Sequence, residues 1–311
     1  MEIAVPERTA ALTLGPVLFN WEAGRWRDFY FRIADEAPVD TVCIGEVICS
    51  KRAPFFEPHY EAVIERLTAA GKTVVLSTLA EVMIPLDRRM VESLCAAHDI
   101  LVEANDGAAL YHLRGRPHHV GPFMNVYNEA TAAALARDGA CHFCLPPELP
   151  ASALRALCEQ TRGLGVSVEV QVFGRASLAL SARCYHARAH GRTKDSCRFV
   201  CEEDPDGLEL RTLDGEPFLT VNGIQTLSRA YLNLVNELDE LQSMDVAYFR
   251  LSPHTCDMVE VATIFRGALD RRLSPDEATV RLAALLPDSS FSNGFYYRKP
   301  GRTWIAGARS G

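Results

Sequence analysis

Residues 57–103 read EPHYEAVIERLTAAGKTVVLSTLAEVMIPLDRRMVESLCAAHDILVE, and their patterning decides the fold class. Tyr60, Val63, Ile64 and Leu67 recur at helical spacing and predict a helix near Glu57–Ala70. The apolar run Thr73–Ser77 is short and uninterrupted, as in a strand buried on both faces. Val91, Leu94, Cys95 and His98 then mark a second helical face, and Ile100–Glu103 a second strand. Strands joined by single helices must run parallel, through right-handed crossovers.

The same rhythm extends in both directions. Upstream lie a strand at Ala11–Leu18, a helix at Arg25–Asp35 and a strand at Val39–Gly45. Downstream follow a helix to Leu113 and a strand at His118–Phe123, then a helix at Glu129–Arg137 and a strand at Cys141–Leu145. The helix Ala151–Arg162 and the strand Val166–Phe173 complete this run. Residues 176–220 break the rhythm. A helix at Gln225–Glu240, a strand at Val246–Leu251, a helix carrying Met258, Val261, Ala262 and Phe265, and a helix at Pro275–Leu285 restore it before the aromatic stretch FSNGFYYRKPG. About seven strand–helix units predict an α/β protein, a TIM-like (β/α) barrel with a cysteine-bearing insertion near residues 176–220. Residues 11–300 are expected to form one barrel domain, with tails at 1–10 and 301–311. Polar residues collect where the strands end: Glu46, Ser77, Thr78, Glu103, Asn105, Asn125, Tyr127, Glu148 and Glu169. In a barrel these ends share one rim, where ligands bind. No G-x-G-x-x-G or P-loop follows any strand.

Composition narrows the partners. A net charge of −8 and a pI near 5.6 argue against a broad nucleic-acid-binding face. No run approaches the roughly 18 apolar residues of a membrane span, and MEIAVPERTA does not read as a signal peptide. A cytoplasmic location is expected, where thiols stay reduced and serve as ligands or core residues in preference to disulfides.

Three of the ten cysteines fall in SARCYHARAHGRTKDSCRFVC, residues 181–201, spaced C-x12-C-x3-C at Cys184, Cys197 and Cys201. Arg183, Arg188, Arg192, Lys194 and Arg198 surround them against a single Asp195. Thiols in a polar, basic loop point to a soft metal centre, because nearby cations favour the ligating thiolate. Three ligands leave a closed site one short. Cys49, in GEVICSKR after the second strand, is the foremost candidate for a fourth thiolate; His186 or His190 would instead complete a structural zinc site. Cys43, Cys95 and Cys158 read as core residues. Cys141 and Cys144 lie three apart in a strand, so they face opposite sides and also read as packing.

The run EVQVFGRASLALSARC, Glu169 to Cys184, resembles the signature of the collagenase-like (U-type) peptidase family, E-V-F-V-H-G-A-x-C-x-A-Y-S-G-R-C. Glu169, Gly174, Ala179, Ser181, Arg183 and Cys184 fall in register, while Ser177 replaces the first signature cysteine and Phe173 the histidine. That loss, paired with Cys49, is similar to the branch of the family that serves oxygen-independent ubiquinone biosynthesis. LGPVLF, VVLSTLAEV, VNGIQTLS and RLSP fit the same branch. The resemblance implies a [4Fe–4S] cluster held by Cys49, Cys184, Cys197 and Cys201. It implies a heterodimer with a UbiU-like family member, needed for anaerobic hydroxylation of a ubiquinone precursor ring presented by a lipid-binding accessory protein. Peptidase activity is not expected. RNA hydroxylation, known in the wider family, and a non-catalytic role beside an active partner are the competing readings.

Overall fold

The computed structural model describes residues 10–306. In chain order the elements are β1 (Ala11–Leu14), α1 (Ala23–Glu36), β2 (Thr41–Ile44), α2 (Ala53–Phe56), α3 (Tyr60–Ala69), β3 (Thr73–Ser77), α4 (Pro85–Cys95), β4 (Leu101–Ala104), α5 (Gly107–Leu113), β5 (His118–Val120), α6 (Glu129–Arg137), β6 (Ala140–Leu145), α7 (Ala151–Thr161) and β7 (Ser167–Leu180). There follow α8 (Tyr185–Ala189), β8 (Leu208–Arg211), β9 (Pro217–Asn222), β10 (Gln225–Asn233), α9 (Leu238–Ser243), β11 (Tyr248–Leu251), α10 (Met258–Leu269), α11 (Pro275–Leu285) and β12 (Phe291–Ser292). Of the expected tails, residues 1–9 and 307–311 lie outside the described residues.

Strands β1 to β7 pair in sequence order, and β11 pairs in parallel with both β7 and β1, closing a parallel barrel of eight strands with helices around it. The pleat divides the residues cleanly. Leu12, Leu14, Val42, Ile44, Leu76, Val102, Phe143 and Phe249 join the apolar layer beneath the helices. The alternate positions, Thr13, Cys43, Ser77, Glu103, His142, Glu169 and Arg250, are buried but stand apart from that layer, as residues pointing into the barrel must. The barrel interior is therefore polar, and that polarity prepares a site.

Three expectations require correction. Gln225–Glu240 is not one helix: β10 runs antiparallel to both β7 and β9, a 3-10 turn follows at Val235–Glu237, and α-helix begins only at Leu238. Leu, Ala and Arg in this stretch favour helix, but ladder bonds on both sides and the alternating burial of Gln225 to Ser228 outweigh that weak preference. The insertion also has a different frame from the one expected. β7 continues past Phe173 to Leu180, and β8, β9 and β10 extend the sheet outward, so the excursion reaches Asn233. The bend in β7 falls at Gly174, with φ +107°, where an added Cβ would lie 2.6 Å from Ser252 Cβ. Only glycine turns the strand out of the barrel wall there. β1 also ends early, at Leu14, because Gly15–Pro16 follows and proline has no amide to continue the ladder. Among the described residues no helix is long and apolar enough to cross a membrane.

Candidate functional site

Two neighbouring cavities lie at the end of the barrel where the strands finish. The first is lined by Cys49, Cys184, Cys197 and Cys201, with Arg52, His186, Lys194 and Phe199. The fold brings Cys49 to the three insertion cysteines from the loop after β2. Glu46 shapes that loop: its buried carboxylate accepts the amides of Ile48 and Cys49, each at 2.8 Å. Ser50 Oγ donates to Asp87 Oδ1 at 2.5 Å and fixes the next residue. Cys184 caps α8, its sulfur accepting the Ala187 amide at 3.4 Å. Between Cys197 and Cys201, Arg198 and Phe199 both take left-handed backbone (φ 50° and 55°), a conformation non-glycine residues seldom adopt and one that concentrates at functional sites.

Cations converge on these sulfurs. Arg52 is buried, donating to Leu18 O at 3.1 Å and Asn222 Oδ1 at 3.0 Å, with its charge beside Cys49 and Cys201. Gly223, φ +61°, leaves room for it: a Cβ there would stand 2.8 Å from Arg52 Nη2. Lys51 Nζ lies 3.6 Å from Cys197 Sγ. Of the insertion cations, Lys194 lines the cavity, whereas Arg183 and Arg188 are exposed. Burial pushes the thiols of Cys49 and Cys184 up, against the pull of Arg52 on the first and of the Ala187 amide on the second. That is the reverse of an activated protease nucleophile, whose thiol is lowered.

The donor set matters for what could be held. A tetrahedral zinc with sulfur bonds of about 2.3 Å draws its ligands within roughly 4 Å of one another. Among the described residues no three ligand-type side chains that include a cysteine have donor atoms all within 4.8 Å of one another. No trio drawn from the four thiols therefore meets that spacing. The cavity they line is about 20 Å³, near the space of one water. Of the other cysteines, Cys95 and Cys158 pack in the apolar layer, while Cys43 and Cys144 face the barrel interior beside Arg250. Cys43, Cys95, Cys144 and Cys158 are buried, and Cys141 sits on the opposite face of β6 from Cys144, its thiol donating to His118 O.

The second cavity, about 360 Å³, is the barrel mouth, a volume typical of small-molecule sites. Glu103, Asn125, Tyr127 and Glu148 line it as expected from the sequence, together with Gln171, Arg175, Ser177 and Arg250. Its floor is an ionic network. Arg250 Nε and Nη2 lie 2.7 and 2.6 Å from Glu169 Oε2, and Nη2 also meets Glu103. Ser77 Oγ donates to Glu103 at 2.9 Å, and Asn105 Nδ2 to the same oxygen at 3.3 Å. His142, stacked on His119 with ring centroids 4.2 Å apart, reaches Glu169 at 3.5 Å. Burial alone would raise the Glu169 carboxyl, yet Arg250 and His142 hold it far below the usual carboxylate range. Burial keeps His119 neutral, its imidazole well below its ordinary value.

Not every rim residue reaches the mouth. Glu46 serves the Cys49 loop, while Glu169 and Asn105 are buried behind the lining. Arg250, Arg175, His119 and His142 are contributions that strand-end reading did not single out; the signal was a charged or imidazole residue at an inward strand position. Ser177, where the resembling signature has cysteine, accepts from Gln225 Nε2 at 3.0 Å in the mouth. One apolar cluster, Leu18, Val47, Ile48, Ala80 and Ile224, packed by Phe123, Leu180 and Cys184, gives Leu18, Ala80, Phe123 and Leu180 to the mouth and Ile224 and Cys184 to the thiol cavity.

The family model described as Peptidase family U32 matches residues 29–306, which takes in every barrel strand except β1 and the whole cysteine-bearing excursion. The chain belongs to peptidase family U32.

Proposed function

We propose that this chain is a UbiV-like iron–sulfur subunit, acting with a UbiU-like partner in the oxygen-independent ring hydroxylation of ubiquinone biosynthesis. The observation that carries the proposal is the convergence of Cys49 with Cys184, Cys197 and Cys201 on one cation-rimmed cavity. Four thiolates and a net positive surround suit a [4Fe–4S] group, which supplies one-electron chemistry when bound. Arg52, Lys51 and Lys194 would offset the thiolate charge, and Glu46 would hold Cys49 in reach.

The mouth is where an organic substrate would lie. Its apolar wall, Leu18, Ala80, Phe123 and Leu180, suits an aromatic ring, with Tyr127, Glu148, Gln171 and Arg250 available to orient polar substituents. The shared cluster would place that ring next to the thiol cavity without contact with it, close enough for electron exchange and shielded from water. Hydrolysis of peptides is not part of the proposal, since burial raises the thiols of Cys49 and Cys184.

The test is metal and sulfide analysis of anaerobically purified chain, co-expressed with a UbiU-like partner, for wild type and Cys49→Ala. About four irons and four sulfides per chain, lost in the variant, are expected. One zinc without sulfide, unchanged in the variant, would overturn the proposal.

A further inference from the structure

Beside the thiol cavity three other side chains come together. His186 and His190, four residues apart on α8 and its cap, stack nearly parallel, ring centroids 5.5 Å apart and planes 9° from each other. His186 Nε2 lies 2.9 Å from Asp204 Oδ2. One ligand-capable atom from each of His186, His190 and Asp204 falls within 4.8 Å of the other two. No other set of three or more His, Cys, Asp or Glu side chains among the described residues meets that spacing.

The hydrogen bonds orient these groups as ligands. His190 Nδ1 faces the His186 carbonyl at 3.0 Å. That contact places the proton on Nδ1 and leaves the Nε2 lone pair free, the arrangement that second-shell carbonyls impose on metal-bound imidazoles. His186 is fully buried; its Nε2–H donates to the Asp204 carboxylate, so an ion ligated there would replace that proton, and its Nδ1 has no hydrogen-bond partner among the described residues. An ion bound at about 2.0–2.2 Å by nitrogen and oxygen holds its ligands roughly 3.3 Å apart. The His186–Asp204 pair is already near that separation, and a rotation of His190 closes the set.

We propose that His186, His190 and Asp204 form a second metal site, for a divalent transition ion of the zinc type, with solvent completing its coordination. Two imidazoles and one carboxylate favour zinc over magnesium or calcium, which seek oxygen. The site is separate from the thiols in donor chemistry and in what it joins. α8 follows Cys184, and Asp204 follows Cys201. An ion here fastens the two ends of the cysteine loop together, whatever the thiols themselves hold.

The experiment uses the full chain, purified anaerobically, in equilibrium dialysis against Zn²⁺ alone at neutral pH, followed by Co²⁺ as a spectroscopic probe. Wild type is expected to take up one Zn²⁺ per chain beyond any thiol-held metal. His190→Ala and Asp204→Asn should each weaken that uptake by at least about tenfold. Co²⁺ at this site should lack the intense sulfur-to-cobalt charge-transfer band. Equal uptake by wild type and both variants overturns the proposal, as does uptake that carries the sulfur band. If Asp204→Asn lowers the urea midpoint, His190→Ala decides, because that ring makes only one bond to the backbone.

Discussion

Inside the barrel the Arg250 guanidinium grips the Glu169 carboxylate through two nitrogens, at 2.7 and 2.6 Å, both side chains almost wholly removed from solvent. Glu103 shares the same guanidinium. Two carboxylates around one cation leave the centre of the barrel dependent on that cation. Replacing Arg250 by Met is expected to cost about 3–5 kcal/mol, the cost of stranding buried charge. Urea unfolding reads this as a lower midpoint. Glu169→Gln added to Arg250→Met should recover part of the loss, and an unchanged midpoint in the single variant would falsify the electrostatic account.

Stability should depend on pH through two carboxyls with opposite signs. Glu169 is depressed when folded, so its contribution is complete above the unfolded carboxyl value near 4.3 and fades as pH falls through the folded one. Glu237 is the reverse case. Burial raises it to about 7, against hydrogen bonds from Tyr297 and Asn293. Between about pH 4.3 and 7 the unfolded chain has lost this proton while the folded chain keeps it, so stability declines as pH rises. The decline is on the order of 3 kcal/mol. Glu237→Gln should remove that slope and leave the variant more stable than wild type at pH 8. Urea midpoints at pH 4.5, 6 and 8 check it.

Gly174 and Gly71 both have positive φ, but they differ in surroundings. A Cβ at Gly174 meets Ser252 at 2.6 Å, whereas at Gly71 nothing lies within 4 Å. Gly71→Ala should therefore cost about 1 kcal/mol for backbone strain alone. Gly174→Ala adds a clash against backbone and side chain and should cost well over 2 kcal/mol. Thermal melts of the pair provide the comparison; equal losses would show that the wall at Ser252 yields.

Glu46→Ala removes the acceptor shared by the Ile48 and Cys49 amides and a carboxylate whose charge acts on Arg52. A buried amide without an acceptor costs about 1–3 kcal/mol. Under the proposed function the variant should also lose iron, as Cys49→Ala does, while all four cysteines remain. Iron retained at the wild-type level would show that the loop holds its course without Glu46.

Much of this architecture is local enough to read from residues in order. The strand–helix rhythm around TVVLS predicts a closed parallel barrel, because a strand buried on both faces and an amphipathic helix each write their surroundings into a few adjacent positions. Cys184, Cys197 and Cys201 stand out for the same reason, as thiols in a basic loop without apolar period. β10 escaped that reading, since its helix-forming residues became a strand only once β7 and β9 offered hydrogen bonds on both edges.

The amino-acid sequence by itself determined the barrel, the polar strand ends and the cysteine-bearing excursion, all of them written in spacing along the chain. Tertiary structure alone decided that Arg52 would stand among the thiols, that Glu46 would turn the Cys49 loop, and that Arg250 would bind Glu169 and Glu103 across the barrel. The reason is physical. Periodicity reports which face of an element is buried, but not which distant element covers it. The pairing of charges and thiols is set only when closure of the barrel brings strand ends far apart in sequence to one rim.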